Sequence, residues 1–284
     1  MVNQSGMTMR ERHLRNAAML NAQDVIVAAY PASGAALLGN VLMELGHSFV
    51  DPHLDEIQED GRLREPGDEE LRRYRSRIAG KSTPGQVGGR RFFKNHLHPD
   101  HFRNLATEAV VLLVRDPRDA LYSSYRFFQG FAPTVLSYLA IDEVSFLEFL
   151  EEKGTVSEPA ITVDGWVDFY RAWAERAERA PRSAVVRFEE LKTSPADAMT
   201  RLLETLGLIA DRAAVERAVE RSSFERMRAH EEEVAGDTGE NPPMIMRRGQ
   251  VGEWREWFGD NELSDRFRVP HMIEAAARFG YRIS

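Results

Sequence analysis

The chain has 284 residues, 43% of them hydrophobic, a formal charge of -8 and no cysteine. That length and apolar content suffice for one sizeable α/β core, and the missing thiols exclude disulfides, cysteine nucleophiles and cysteine-ligated metals. No apolar run approaches the roughly 20 residues that cross a bilayer, nothing resembles a signal peptide, and the acidic balance argues against a general nucleic-acid surface, so a soluble, cytoplasmic protein is expected.

Met7–Leu20 reads as a short helix or arm. Val25–Tyr30 is a buried strand, Pro31–Gly34 a tight turn, and Ala35–Leu45 a helix whose apolar stripe is Leu37, Leu38, Val41, Leu42 and Leu45. Between Asp51 and Gly89 the chain turns charged and is broken by prolines and glycines, which predicts a helix near Glu69–Ala79 within a variable cover. Arg91–Lys94 is a short strand ending in Asn95-His96, and Ala109–Val114 is a central strand followed by an Arg-Asp-Pro-Arg turn and a helix from Asp119. Phe146–Glu151 reads as helical, and Val163–Arg179 as an amphipathic helix with Trp166, Phe169, Tyr170 and Trp173 on one side. Ala184–Phe188 is a further strand, followed by helices through Pro195 to Leu206 and over Ala213–Arg221. Glu231–Pro243 is polar and acidic, a candidate mobile loop. Alternating strands and helices of this kind predict an α/β fold with a central parallel sheet flanked by helices on both faces. No internal repeat is visible, and one domain over residues 1–284 is expected, with variable segments near 51–89, 130–138 and 231–246.

Two strand–turn–helix units carry the features of anion sites. The Ser33-Gly34 turn presents successive backbone N–H groups to a phosphate, although it lacks the paired glycines and the lysine of a nucleoside-triphosphate loop. Arg115, with Ser123 across the strand–turn–helix junction, offers a guanidinium fork and a hydroxyl. Two such elements on one sheet suit a ligand with two phosphate ends. Lys94 and His96, two apart at a strand end, can face one side, where the imidazole can take a proton from an alcohol and the ammonium can neutralise developing charge. His98 and His101 follow closely, but their spacing matches no familiar metal site and no metal is expected. Arg247-Arg248-Gly249 adds a second basic cluster. Each feature has an ordinary structural reading as well: a βα turn, a surface lysine, an Arg115–Asp119 pair, an exposed basic turn.

Taken together, these segments resemble the cytosolic-type sulfotransferase family, which uses 3′-phosphoadenosine 5′-phosphosulfate (PAPS). Tyr30-Pro31-Ala32-Ser33-Gly34 is similar to the family's Tyr-Pro-Lys-Ser-Gly loop, and Lys94-Asn95-His96-Leu97 to its Lys-Thr-His-Leu stretch. Arg115–Asp119 with Ser123-Ser124-Tyr125 resembles the 3′-phosphate segment, and Arg247–Arg255 the Arg-Lys-Gly-x-x-Gly-Asp-Trp-Lys segment. The motifs occur in the family's order, and the likeness runs from about Val25 to Phe258.

The resemblance implies a P-loop-like nucleotide-binding architecture and in-line sulfuryl transfer to a hydroxyl, with 3′-phosphoadenosine 5′-phosphate (PAP) as product and no metal. His96 would be the general base and Lys94 a transition-state cation. Ser33 and the N–H groups of Gly34, Ala35 and Ala36 would hold the 5′-phosphate. Arg115, Ser123, Arg247, Arg248 and Gly249 would hold the 3′-phosphate, with Ser222 and Phe224 near the adenine. The chain departs from the family at Ala32, where the loop lysine is absent, at Ala35 and Ala36 in place of threonines, at Leu37 in place of tryptophan and at Phe188 in place of tyrosine. Losing a charge on the leaving phosphate removes roughly 3–4 kcal/mol of transition-state stabilisation unless another cation supplies it; Lys94, Arg90–Arg91 and Arg247–Arg248 are the candidates. Three functions stay open on the sequence: a PAPS sulfotransferase, a transferase using another phosphorylated donor, and a catalytically degenerate binding or structural relative.

The acceptor implied is a small-molecule alcohol or phenol of specialised metabolism, rather than a large protein or polysaccharide. Its walls are expected from Phe127, Phe128, Phe131, Tyr138, Phe146 and Phe149; an inward turn of several of Arg62, Arg64, Arg72, Arg73, Arg75 and Arg77 would indicate an acidic one. Oligomeric state is not legible.

Overall fold

A computed structural model describes residues 8–64, 69–78, 90–102, 105, 107–132, 143–156, 158–209, 211–236 and 244–284. Its centre is a five-stranded sheet of β1 (Val25–Ala29), β2 (Ser48–Val50), β5 (Arg91–Asn95), β6 (Ala109–Val114) and β7 (Arg182–Arg187), in the order β2-β5-β1-β6-β7. Every pairing in it is parallel. Two short strands, β3 (Glu56–Ile57) and β4 (Leu63–Arg64), pair antiparallel outside the main sheet. The prediction of a parallel α/β sheet holds; β2 is an addition just before Asp51, and the β3–β4 pair is an addition within the 51–89 stretch expected to be a helix with loops.

Alternate side chains leave the central strands in opposite directions, as the period of a strand requires. Ile26, Ala28, Phe93, Val110 and Leu112 pack on one face against α5 (Val163–Arg179), with Trp166, Phe169, Tyr170 and Trp173 all buried there. Val25, Val27, Ala29, Phe92, Val111 and Leu113 pack on the other against α2 (Ala35–Glu44), α7 (Pro195–Thr205) and α8 (Arg212–Arg221). Both faces are therefore covered. The remaining helices used below are α1 (Met9–Ala17), α3 (Glu69–Ile78), α4 (Pro117–Arg126), α6 (Phe188–Thr193), α9 (Phe224–Gly236) and α10 (Pro270–Ala277).

Three of the differences from the sequence reading bear on the site. The helix after β6 begins at Pro117, because Asp116 caps it by accepting the Arg118 N–H at 3.0 Å and Pro117 fits its first turn. The strand expected over Ala184–Phe188 is Arg182–Arg187, and Phe188 opens α6. Glu231–Gly236, expected in a mobile loop, completes α9, and Glu231 is fully buried where it accepts the N–H groups of Ile245 and Met246 at 2.8 Å each. The rest of that expected loop, 237–243, lies outside the described residues, as do 133–138 and, within the cover expected over 51–89, residues 65–68 and 79–89.

Chain order reverses at β1, with β5 on one side and β6 on the other. Loops leaving such neighbouring strands at their C-terminal ends diverge and leave a crevice for ligands. The Ser33-Gly34 turn, His96 and Arg115 all sit at that edge, directly after β1, β5 and β6.

Candidate active site

A cleft of about 260 Å³ opens at this edge, lined by Gly34, Ala35 and Ala36 from the β1 turn, Lys94 and His96 from β5, Arg115 after β6, Ser123 on α4, and Phe224 and Arg247–Gly249 from the later chain. Most of the residues singled out from the sequence thus meet in one place. The turn itself is unusual: Ala32 has φ 60°, Gly34 has φ 97° and caps α2. A Cβ on Gly34 would stand 2.5 Å from Cδ2 of Phe188, so this position needs glycine for space as well as for its left-handed backbone. The N-terminal N–H groups and dipole of α2 make the space before this turn favourable to negative charge.

Two residues of the expected set stand apart from the cleft lining. Ser33 is 1% exposed, and its hydroxyl lies 3.1 Å from the Tyr170 hydroxyl beneath the turn. Tyr170 in turn donates to the Leu113 carbonyl at 2.5 Å, tying the turn to the sheet. Ser222 is 2% exposed, and its Oγ has no hydrogen-bond partner among the described residues.

His96 is held by its Nδ1, which lies 2.5 Å from the Ala29 carbonyl oxygen. A carbonyl can only accept, so Nδ1 carries the proton and Nε2 keeps its lone pair. Burial, reinforced by the Lys94 ammonium, pushes the imidazole down to about 3, and it is neutral at physiological pH. Its ring stacks on that of His53 at 5.8 Å, and His53 meets the buried His13 edge-on at 5.0 Å. Asn95 anchors His13, its Oδ1 lying 2.8 Å from Nε2.

Lys94 donates to Asp51 Oδ2 at 2.6 Å. The parallel register pairs Val50 with Phe93, and continuing it by one residue sets Asp51 beside Lys94. Lys94 and the neighbouring His53 and His96 hold the Asp51 carboxyl well below the usual carboxylate range despite its burial. Its other oxygen accepts the His53 N–H at 3.1 Å, while its own N–H donates to Asp55 at 2.9 Å. Asp55 forms a buried ion pair with Arg75 of α3. Burial raises the Asp55 carboxyl to about 6 against that pull. Of the arginines around α3, Arg75 therefore turns inward with its charge already paired; Arg62, Arg64, Arg72 and Arg73 are exposed, and the side chain of Arg77 lies outside the described set.

Arg115 donates to the carbonyls of Ala32 at 3.0 Å and Gln250 at 3.3 Å, and lies 4.3 Å from the centre of the Phe188 ring. Its buried Nε has no hydrogen-bond partner among the described residues. Asp119 does not bond Arg115; its oxygens accept the N–H groups of Gly252 and Trp254 at 2.7 and 2.8 Å, and Arg118 lies 3.4 Å over the Trp254 ring. These contacts bring the chain around Arg247–Gly249 across to α4. There Gly249 has φ 60° and packs on Phe224 too closely for a side chain. Arg247 pairs with Glu253, and Arg248 with Glu256 at 2.8 Å and Glu253 at 3.4 Å.

Two of the cations considered in place of the loop lysine stand outside the cleft. Arg91 pairs with Asp24 and Arg90 with Glu108, and neither lines the cleft. Of the expected acceptor walls, Phe127 lines the cleft, Phe131, Phe146 and Phe149 are buried in the core, and Phe128 packs against that core; Tyr138 lies outside the described residues. Sequence reasoning missed Asp51, whose signal was the Ser-Phe-Val run before it, and Lys192, which lines the cleft four residues after Phe188. No cluster of three or more potential metal ligands occurs among the described residues, and no helix among them is long and apolar enough to cross a membrane.

At the reversal point of the parallel sheet, a glycine-capped turn, several arginines and a lysine–histidine pair thus share one cleft. The sulfotransferase domain family matches residues 22–271, and the chain belongs to that family. It is 27% identical to sulfotransferase 6B1 of Pan troglodytes over 253 residues, spanning 86% of this chain and 75% of that one. It is 24% identical to human sulfotransferase 2A1 over 262 residues, 89% of this chain and 85% of that one. In fold it is similar to a mouse sulfotransferase, SULT7A1, complexed with PAP, with TM-score 0.62, 17% identity and coverage of 95% and 94% of the two chains. A retinol dehydratase complexed with androsterone and PAP gives TM-score 0.60 and 20% identity, covering 95% of this chain and 87% of that one.

Proposed function

We propose that this protein transfers a sulfuryl group from PAPS to the hydroxyl of a small-molecule alcohol or phenol. The observation that carries the reading is His96: its Nδ1–H is spent on Ala29, so Nε2 is the basic nitrogen, in the same cleft as Lys94 and the N-terminus of α2. Two of the solved relatives in this fold hold PAP, which supports a 3′,5′-bisphosphate here.

The residues divide the work as follows. His96 Nε2 takes the acceptor's hydroxyl proton as the new O–S bond forms, and the electron pair of the breaking S–O bond goes to the 5′-phosphate oxygen. The N–H groups of Gly34, Ala35 and Ala36 receive that growing charge with the help of the helix dipole. Lys94 stabilises the sulfuryl oxygens in flight, and Arg115 with Ser123, Arg247, Arg248 and Gly249 holds the 3′-phosphate. A donor carrying several negative charges raises the His96 pKa from its low value in the free protein, so the base gains strength when the donor is bound.

A second reading, a relative that binds the nucleotide without turning it over, is favoured by Ala32 and by the Lys94–Asp51 pair, which together leave little uncompensated cation at the transfer point. Turnover separates them. Labelled PAPS incubated with a panel of phenols and alcohols should yield sulfated product with the wild type and none with His96→Ala or Lys94→Ala; PAP binding without product from any acceptor would favour the second reading.

A further inference from the structure

Most of the cations expected at the phosphate sites already have hydrogen-bonded partners: Lys94 on Asp51, Arg115 on two carbonyls, Arg247 and Arg248 on carboxylates. Lys192 differs. It is half-buried in the cleft wall, and its ammonium makes no hydrogen bond or ion pair with any described residue; it lies 4.8 Å from the centre of the Phe224 ring. Burial and the nearby Arg115 guanidinium lower its pKa, and the charge of Glu225 offsets this only in part.

The placement of Lys192 follows from α6. Phe188, in the first turn of that helix, carries the Arg115 guanidinium on its ring. Lys192 is four residues on, hence on the same helix face one turn away. Two like charges, each resting on an aromatic ring, thus flank one helix turn in a partly dry cleft. Their mutual repulsion is relieved when an anion enters between them.

We propose that Lys192 is a donor-binding residue which, with Arg115, grips the ribose phosphate of a 3′,5′-bisphosphorylated nucleoside and so selects it over a 5′-monophosphate. The assignment rests on the PAPS reading of the cleft. The ammonium leaves the Phe224 ring as the base arrives there, and the 3′-phosphate takes its place as partner.

The test is calorimetric titration of the wild type, Lys192→Met and Lys192→Arg with PAP and with adenosine 5′-phosphate. Lys192→Met should weaken PAP by about tenfold or more, as expected for a charged hydrogen bond, and change adenosine 5′-phosphate by less than about twofold. Lys192→Arg should recover most of the loss. Equal weakening of both nucleotides, or no change in either, overturns the proposal. A wild type that fails to prefer PAP over adenosine 5′-phosphate overturns the PAPS reading itself, and that arm is independent of the variants.

Discussion

The ion pair between Lys94 and Asp51 can be measured without knowing the acceptor. The two side chains are 14% and 12% exposed and meet at 2.6 Å. Breaking a buried pair by removing one partner costs about 3–5 kcal/mol, whereas replacing both partners by neutral groups is often nearly neutral. Here the residual exposure places Lys94→Met at the low end, about 3 kcal/mol. Asp51→Asn should cost about 2 kcal/mol, because the freed ammonium can turn into the open cleft. The double variant should also cost about 2 kcal/mol, which makes the coupling about 3 kcal/mol. Urea unfolding of the four proteins near neutral pH reads these values from the shift in midpoint. The Asp51 carboxyl is held below its ordinary 3.8, so the pair's contribution is complete above that pH and is lost as pH falls below it. A coupling below about 0.5 kcal/mol would refute the pair and, with it, the claim that the transfer point is nearly neutral before the donor binds.

Other outcomes follow from the same geometry. Ala32→Lys returns a cation to the turn and should raise PAPS turnover by about tenfold or more; unchanged turnover would mean that charge at this position is not limiting. Gly34→Ala adds a Cβ 2.5 Å from Phe188 at φ 97° and should cost about 2 kcal/mol in stability and abolish PAP binding; a variant matching the wild type in melting and titration contradicts the turn's geometry. His96 has its pKa lowered from 6.5 to about 3, so the protein should lose stability as pH falls through 6.5 towards 3, by up to about 1.4 kcal/mol per pH unit for this group. His96→Gln should flatten that slope in denaturation series at successive pH values; an unchanged slope would show that the imidazole is not buried uncharged.

The parts of the fold visible in the sequence were those with their own periodicity or punctuation. β1 and β6 are continuous apolar runs, and α5 carries four aromatics on one helical face, so each declares its type locally. β2 is only three residues at the sheet edge, too short for any period to register. Glu231–Gly236 reads as solvent-facing because it is acidic, yet Glu231 is buried to satisfy two backbone N–H groups beyond the end of its own helix. The site divides in the same way. Lys94, His96 and Arg115 are legible because they end strands. Asp51 is not, since its role depends on which strand β2 joins and in what register. Ser33 carries the expected motif, but its hydroxyl faces Tyr170, a partner 137 residues along the chain.

The central claim is that the cleft at the end of β1, β5 and β6 is built for an adenosine 3′,5′-bisphosphate. Calorimetric titration of the wild type with PAP, alongside ADP and ATP, tests it most directly. The account predicts micromolar PAP binding, with ADP and ATP weaker by at least about tenfold because neither places a phosphate before Arg115 and Ser123. Absence of PAP binding, or binding no tighter than that of ADP, would contradict it.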